Sequence, residues 1–380
     1  MRKIILIGAA FLFSASSALA ASGGSSSSTG LAPTSDEFLR ARVMTIESET
    51  KQSDGSVLEH AHLQVIAGAY NGEEFGIDNT VLPDRADTVL TVGETVVVER
   101  LGKSDGTVEY QLKEKYRIPG MLWLVGLFLL IAFVVGGKRG ITSLLGLGVS
   151  ILILLVFVIP RIIAGGDPFT VCLIGAVVIA CTSLYLAHGF NKRTSIAFLS
   201  TIVTLGFAAL LDLLFVFGSK LFGMGSDESL YLQMGQLQNV NLRGLLLGGI
   251  IIGCLGVLDD ITTAQTAAID EISKANPALT AQELRAAGRS VGGEHIASLI
   301  NTLALAYVGA SMPLLLLLET NSDFPLWVTL NGEFLAEEII RTLVGSATLL
   351  IAVPIATWFA AYFLQGGRSS GHSSFTHHHH

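Results

Sequence analysis

Charge is scarce in this chain of 380 residues: Asp, Glu, Lys and Arg together make up 14% of it, against 51% hydrophobic residues. With a mean hydropathy of +0.60, that balance excludes a soluble globular protein of this length and indicates a polytopic membrane protein. An excess of basic residues is also missing. The net charge is -8, so no surface tracks a phosphate backbone and nucleic acid is excluded as a partner. Cysteine is rare, with Cys172, Cys181 and Cys254 all in apolar stretches. They read as small core residues, and the polar amino-terminal third has no disulfide available. There is no zinc or haem spacing, P-loop, dinucleotide fingerprint or nucleophile elbow, so no metal, no cofactor and no enzymatic reaction are expected.

What is present falls into sections. Residues 1–20 combine Arg2 and Lys3, an apolar run from Ile4 to Phe13, and Ala18-Leu19-Ala20, the pattern of a cleaved secretory signal. Residues 21–35 are rich in Ser and Gly and read as a disordered linker. Over residues 36–116, short runs alternate apolar and polar positions (FLRARVMTIES, HAHLQVIAG, DTVLTVGETVVVERL, TVEYQLKEKY), with turn signals at Asp54-Gly55, Asn71-Gly72 and Asp105-Gly106. The expectation is four to six antiparallel strands closing into a small OB-like β-barrel outside the membrane. His60 and His62 share a strand face there, and without a third ligand they read as surface residues.

Residues 119–364 contain seven apolar stretches, at 119–136, 141–160, 169–187, 195–217, 242–263, 294–318 and 341–364. Each approaches the roughly 20 helical residues that cross a hydrocarbon core. The expected fold is therefore a mainly α membrane protein, a seven-helix transmembrane bundle with a small extracytoplasmic antiparallel β domain. An external amino-terminal domain sends the loops after odd-numbered spans to the cytoplasm. Lys138, Arg139, Lys192, Arg193, Lys274, Arg285, Arg289 and Arg368 fall there, against Arg161, Lys220, Arg243 and Arg341 in the outside connections. The tail, residues 365–380, is low-complexity and reads as disordered.

The fifth stretch organises the polar residues. Gly244 and Gly248, and Gly249 and Gly253, are four apart and would let the sixth helix approach closely. Asp259, Thr262, Thr263, Thr266 and Asp270 recur at offsets of three or four, which lines carboxylates and hydroxyls along one stripe. Carboxylates are expensive at membrane depth and mark function there, unless Asp259 and Asp260 merely end the span at the headgroups. Glu294, His295, Ser298 and Asn301 open the sixth stretch and His188 closes the third. The transport-pathway candidates are thus Asp259, Asp260, Thr263, Thr266, Glu294, His295, Ser298, Asn301 and His188, a set suited to proton or cation handling between the fifth and sixth spans. A purely structural polar network accounts for the same residues. Asp212, late in the fourth stretch, stands apart. A protease dyad of Asp212 and Asp259 is not expected, because the two fall at opposite depths. Between spans, Thr280 and Glu283 form a capping box that opens a short amphipathic helix, a connector or a gate.

Three segments, GVLDDITTAQTAAIDEI, NPALTAQELRAAG and NTLALAYVGASMPLLLLL, behind a signal and a β region, resemble the YibE/F family of bacterial multipass membrane proteins, over about Pro119 to Leu364. The resemblance implies a membrane or transport protein of unsettled substrate in the bacterial cytoplasmic membrane, and marks Asp259 and Asn301 as its important positions. Asp260 departs from the apolar residue common in the family. The expected function is a transporter or permease, coupled to a proton or cation. The alternative is a non-transporting assembly or sensing protein whose β domain binds a partner. Expected partners are membrane lipid and a small solute or ion, with a homo-oligomer as an open option.

Overall fold

The computed structural model describes residues 37–51, 55–81, 89–103, 107–235, 237–320 and 325–365. The expected signal and linker, and the tail from residue 366 onward, lie outside them. The chain divides into two compact units, residues 1–135 and 136–380.

The first unit holds β1 (Glu37–Lys51), β2 (Val57–Val65), β3 (Glu74–Val81), β4 (Thr95–Gly102) and β5 (Val108–Lys115), in the order β3-β2-β1-β4-β5 with every ladder antiparallel. β1 pairs with both β2 and β4, and register shifts between Val43 and Thr45 and between Ile46 and Ser48 bend it around the sheet. Alternation turns Leu39, Ala41, Val43, Leu63, Val65, Ile77, Val96 and Val98 into one core. The outer strands meet where Phe75 of β3 stacks on Tyr110 of β5 at 3.8 Å and the Tyr110 hydroxyl donates to Glu73 at 2.7 Å. The result is a nearly closed five-stranded antiparallel barrel of OB-like order. β3 lies in none of the apolar runs read from the sequence, because Gly76, Asp78 and Asn79 depress its strand propensity. It nonetheless buries every second residue. Asn79 is one of those, and it donates to the buried Glu59 carboxylate at 2.9 Å. Asn71-Gly72 forms the expected β2–β3 turn, with Gly72 at φ 92°.

The helices are α1 (Ile118–Ile153), α2 (Ile159–Ile163), α3 (Pro168–His188), α4 (Lys192–Gly218), α5 (Asp227–Met234), α6 (Leu242–Ala275), α7 (Ala281–Ala310), α8 (Met312–Thr320), α9 (Leu326–Leu330) and α10 (Glu333–Leu364). Gly137, at φ 53° and ψ -134°, breaks α1. Pro160 lacks an N–H and crowds the preceding turn, and the wide π turn Leu154–Val158 between α1 and α2 accommodates it. Among the described residues, six helical lengths are long and apolar enough to cross a membrane: Ile118–Lys138, Gly140–Ile163, Pro168–His188, Lys192–Gly218, Leu242–Ala275 and Glu333–Leu364. This is a multispan membrane protein.

Six of the seven expected spans meet that length and apolarity, and the stretch at 294–318 is the one that does not. The stretch at 294–318 does not form one apolar helix. It is divided between α7 and α8 by the non-helical Ser311, just before Pro313, so its leucine run falls beyond the break. α7 begins earlier than expected, at the Thr280–Glu283 capping box, and includes the charged residues assigned to a loop.

The course of α7 follows from its neighbours. Ser273 near the end of α6 donates to the Leu364 carbonyl at the end of α10 at 2.9 Å. At the opposite end, Glu333 of α10 accepts from the N–H groups of Phe222, Gly223 and Met224, and Glu337 accepts from that of Gly225 at 2.9 Å. Arg243 at the start of α6 donates to the Leu221 carbonyl of the same segment at 2.6 Å. α6 and α10 are therefore parallel, and the chain between them must return the length of the bundle. α7 makes that return. Leu284 packs with Ile269 and Ala361, Tyr307 approaches Gly253 and Gly345, and Ser311 donates to Glu338 at 3.3 Å.

Candidate functional site

Three helices, α4, α6 and α10, form the centre of the second unit, and their contact is layered by polarity. In one layer, Thr201 of α4 and Thr262 of α6, both fully buried, share a hydroxyl–hydroxyl hydrogen bond of 2.7 Å. Gln265 of α6 donates to the Thr357 hydroxyl of α10 at 2.8 Å and to the Gly288 carbonyl of α7 at 2.7 Å. Helical spacing puts Thr262, Gln265, Thr266 and Ile269 on the same inward face of α6, so these polar groups are enclosed rather than solvated.

Asp259 lies at the edge of this layer. Its Oδ2 accepts from the Ser183 hydroxyl of α3 at 2.7 Å, while its Oδ1 is buried without a partner. Thr194 Oγ1 and Thr266 Oγ1 are buried without partners as well. Buried polar atoms are almost always paired, with protein or with water, so three such atoms on one seam point to water or solute at this place. A cavity of about 160 Å³ opens at Thr194, lined also by His188, Arg193, Ala197, Thr263, Ala264 and Ala267; Asp259 and Thr266 are on the same helix as three of these residues but do not line it. Asp260 is exposed, with His188 as its electrostatic neighbour.

Of the residues read from the sequence, Asp259, Asp260, Thr263 and Thr266 follow one another along α6, and the structure brings His188 of α3 to Asp260 and Thr263. It does not bring the α7 group to them. Glu294, Ser298 and Asn301 are exposed, while Ile296, Leu299 and Leu303 are the residues of this part of α7 that pack on the core. The His295 backbone is helical and its side chain lies outside the described residues. The seam therefore borders the third and fourth spans, where a pathway between the fifth and sixth was expected. Asp259 has its hydroxyl partner on α3, in a stretch that is apolar from Val171 to Cys181 and carries Thr182, Ser183 and Tyr185 after it.

The glycines of α6 also divide. A side chain at Gly248 would meet Cys172 Sγ at 2.6 Å and one at Gly244 would meet Pro168 at 3.3 Å, so these two allow α3 to approach. Gly253 faces the Tyr307 hydroxyl of α7 at 3.8 Å, and Gly249 has nothing within 4 Å. The closest approach to α7 comes from its own Gly288 and Gly292. A Cβ at Gly292 would lie 2.4 Å from Val353 of α10, and one at Gly288 would lie 2.8 Å from Thr357. Four-residue glycine spacing was the signal for this contact, in a segment read as a loop.

Asp212 of α4 was set aside in the sequence, and it is fully buried with neither carboxylate oxygen partnered. It does not pair with Asp259, whose hydroxyl partner is Ser183. Among the described residues, no group of three or more His, Cys, Asp or Glu side chains could hold a metal ion.

The family comparison covers the helical part of the chain. No curated protein and no solved structure matches it. The family model described as YibE/F-like protein matches residues 124–366, which takes in every helix from the first half of α1 to the end of α10. The chain belongs to the YibE/F-like family.

Proposed function

We propose that this protein is a permease of the bacterial cytoplasmic membrane that moves a small solute or ion coupled to a proton or cation. The observation that carries the reading is the polar seam itself: buried, partnerless oxygens of Asp259, Thr194 and Thr266, with a cavity at Thr194, inside helices apolar enough to span a membrane. Such groups are costly in an anchor and useful along a pathway. Movement of a solute, not its chemical conversion, is assigned, so no reaction and no cofactor enter the mechanism.

In this reading α7 is a seventh crossing, the barrel is extracytoplasmic and the carboxyl terminus is cytoplasmic, supported by the parallel course of α6 and α10 and by the basic residues of the inner loops. The exposed Glu294, Ser298 and Asn301 of α7 would be expensive against lipid. Water or the same face of a second copy of the chain is proposed to cover them.

A second reading, a sensing or assembly protein whose barrel binds a partner, is favoured by one observation. Leu205 of α4, Leu258 of α6 and Ala352 of α10 are buried in one apolar core cluster across the middle of the bundle. Flux measurements separate the two. With full-length protein in liposomes and a panel of inorganic ions and small metabolites, the permease reading expects uptake of at least one solute, reduced tenfold or more by Asp259→Asn at unchanged thermal stability. Uptake no greater than in empty liposomes across the panel would favour the sensor.

A further inference from the structure

The bundle holds a second carboxyl that the seam does not use. Asp212 lies on the same line of α4 as Thr201, Thr204 and Ala208, one side of which faces α6 and α10. Its level is fixed by its neighbours. The Cys254 thiol of α6 is its electrostatic partner, and that thiol in turn lies 4.0 Å from the Thr348 hydroxyl of α10. Thr201 meets Thr262 further along the antiparallel pair, so Asp212 is separated from the hydroxyl layer along the bundle axis.

What separates them is apolar. Leu205 and Ala208 of α4, Leu258 of α6, and Leu349, Ala352 and Val353 of α10 form one buried cluster between the two polar levels. On the other side of Asp212, Val216, Leu246, Leu247, Ile250 and Val344 form a second buried cluster, reaching Leu221. The carboxyl thus sits in a polar layer of three groups, Asp212, Cys254 and Thr348, closed at both ends.

Among the described residues, no cationic group acts on it. From α6 the titratable group at its level is Cys254, whose other electrostatic neighbour is Tyr307 of α7. On α10, Arg341 and the glutamates 333, 337 and 338 precede Thr348 by 7 residues or more, about 10 Å of rise or greater. α3 packs against this part of α4 with Ala176, Ile179 and Ala180. An ionised carboxylate with both oxygens unpartnered in such surroundings is prohibitively unfavourable, and one carboxylate, one thiol and one hydroxyl are too few oxygens for a hard metal cation. A proton satisfies the site with one covalent O–H bond and no further ligand.

We propose that Asp212 is an occluded proton-binding site. The apolar layer of Leu205, Leu258 and Ala352 separates it from the polar seam at Asp259, so release of its proton requires α4, α6 and α10 to move apart. This supplies the coupling ion of the permease reading and rests on that reading for its purpose, although its test needs no transport.

The test is infrared spectroscopy of the full-length protein in lipid nanodiscs, labelled with ¹³C-aspartate. At neutral pH the expected result is a protonated carboxylic C=O band that shifts with the aspartate label and is missing in Asp212→Asn. In Asp212→Glu the band should respond to ¹³C-glutamate instead, which keeps the assignment independent of how well the amide variant folds. On transfer to D2O the band should convert to its deuterated form slowly, and Leu258→Ala should accelerate that conversion tenfold or more. An Asp212 carboxyl that is ionised at neutral pH, its label appearing only in the carboxylate bands, overturns the proton site. Immediate deuteration, unchanged by Leu258→Ala, overturns the occlusion. Neither result depends on whether the liposome assay detects flux, so failure of this inference and failure of the permease reading are distinguishable.

Discussion

Glu94 illustrates how a single charge can hold the barrel's last strands together. Burial alone would raise its carboxyl, but the Lys115 ammonium and the Thr91 N–H and hydroxyl outweigh that and hold it below the usual carboxylate range. Lys115 Nζ lies 3.0 Å from Oε1 and the Thr91 hydroxyl donates to Oε2 at 2.8 Å. Because the folded pKa is depressed, the stabilisation is complete above the unfolded carboxylate pKa and is lost as pH falls through the folded one. The pair is partly exposed, so its worth is on the order of 1 kcal/mol. Amide hydrogen exchange of β4 and β5 in the full-length protein checks this. Protection should fall on acidification in the wild type, whereas Glu94→Gln should start lower at neutral pH and show a flatter acid dependence. Identical profiles would remove the interaction from the account of barrel stability.

At the scale of the element, α7 is the helix whose packing can be probed most sharply, because its glycines stand where no side chain fits. Gly292→Leu would drive a branched side chain into Val353 and Gln265, breaking the bridge from Gln265 to Thr357 as well as overpacking the contact. A loss of about 1–3 kcal/mol is expected from overpacking, read as a lower thermal midpoint in detergent. Gly249→Leu, with nothing within 4 Å of its Cβ, should leave that midpoint nearly unchanged. Equal effects at the two sites would mean that α7 does not pack on α10 through Gly292. The same helix shows where the sequence stopped being legible. Long apolar runs announced α3 and α4 within three residues of their ends, and one end each of α6 and α10, whose helices run on through polar residues to Ala275 and back to Glu333, since hydrophobicity over about 20 residues is a strong signal and polar helix ends are not. The first turns of α7 carry Glu283, Arg285 and Arg289, and over residues 281–293 the buried positions are Leu284, Gly288 and Gly292, so averaged hydropathy hides this half of the helix. Asp259 was legible as a buried carboxylate, but its partner was not. Ser183 is one hydroxyl in an apolar stretch, and only the register between α3 and α6 makes it a neighbour. Asp212 was visible as an aspartate in a span, and what the sequence could not supply was the pair of apolar layers that encloses it.

For the whole molecule, the open quantity is the number of crossings, and the fold constrains it strongly. Six helical lengths among the described residues are apolar enough to span. If α7 lay on the membrane surface, α6 and α10 would have to enter from opposite faces and run antiparallel. They run parallel instead, joined at one end by Ser273 and Leu364 and at the other through the segment 221–225. A helix of 30 residues spans about 45 Å, enough to return across a hydrocarbon core and its interfaces. The polar face that weakens α7 as an isolated span is the face turned away from α6 and α10, which a second copy or water would cover. Single cysteines decide the matter: Thr107→Cys in the barrel, Ala278→Cys between α6 and α7, and Asn331→Cys before α10. With seven crossings and an external barrel, a membrane-impermeant thiol reagent on intact cells should label positions 107 and 331 and spare 278. Labelling of 278 and 331 from the same side would put α7 on the surface, and with it would go the proposal that α7 is a seventh crossing.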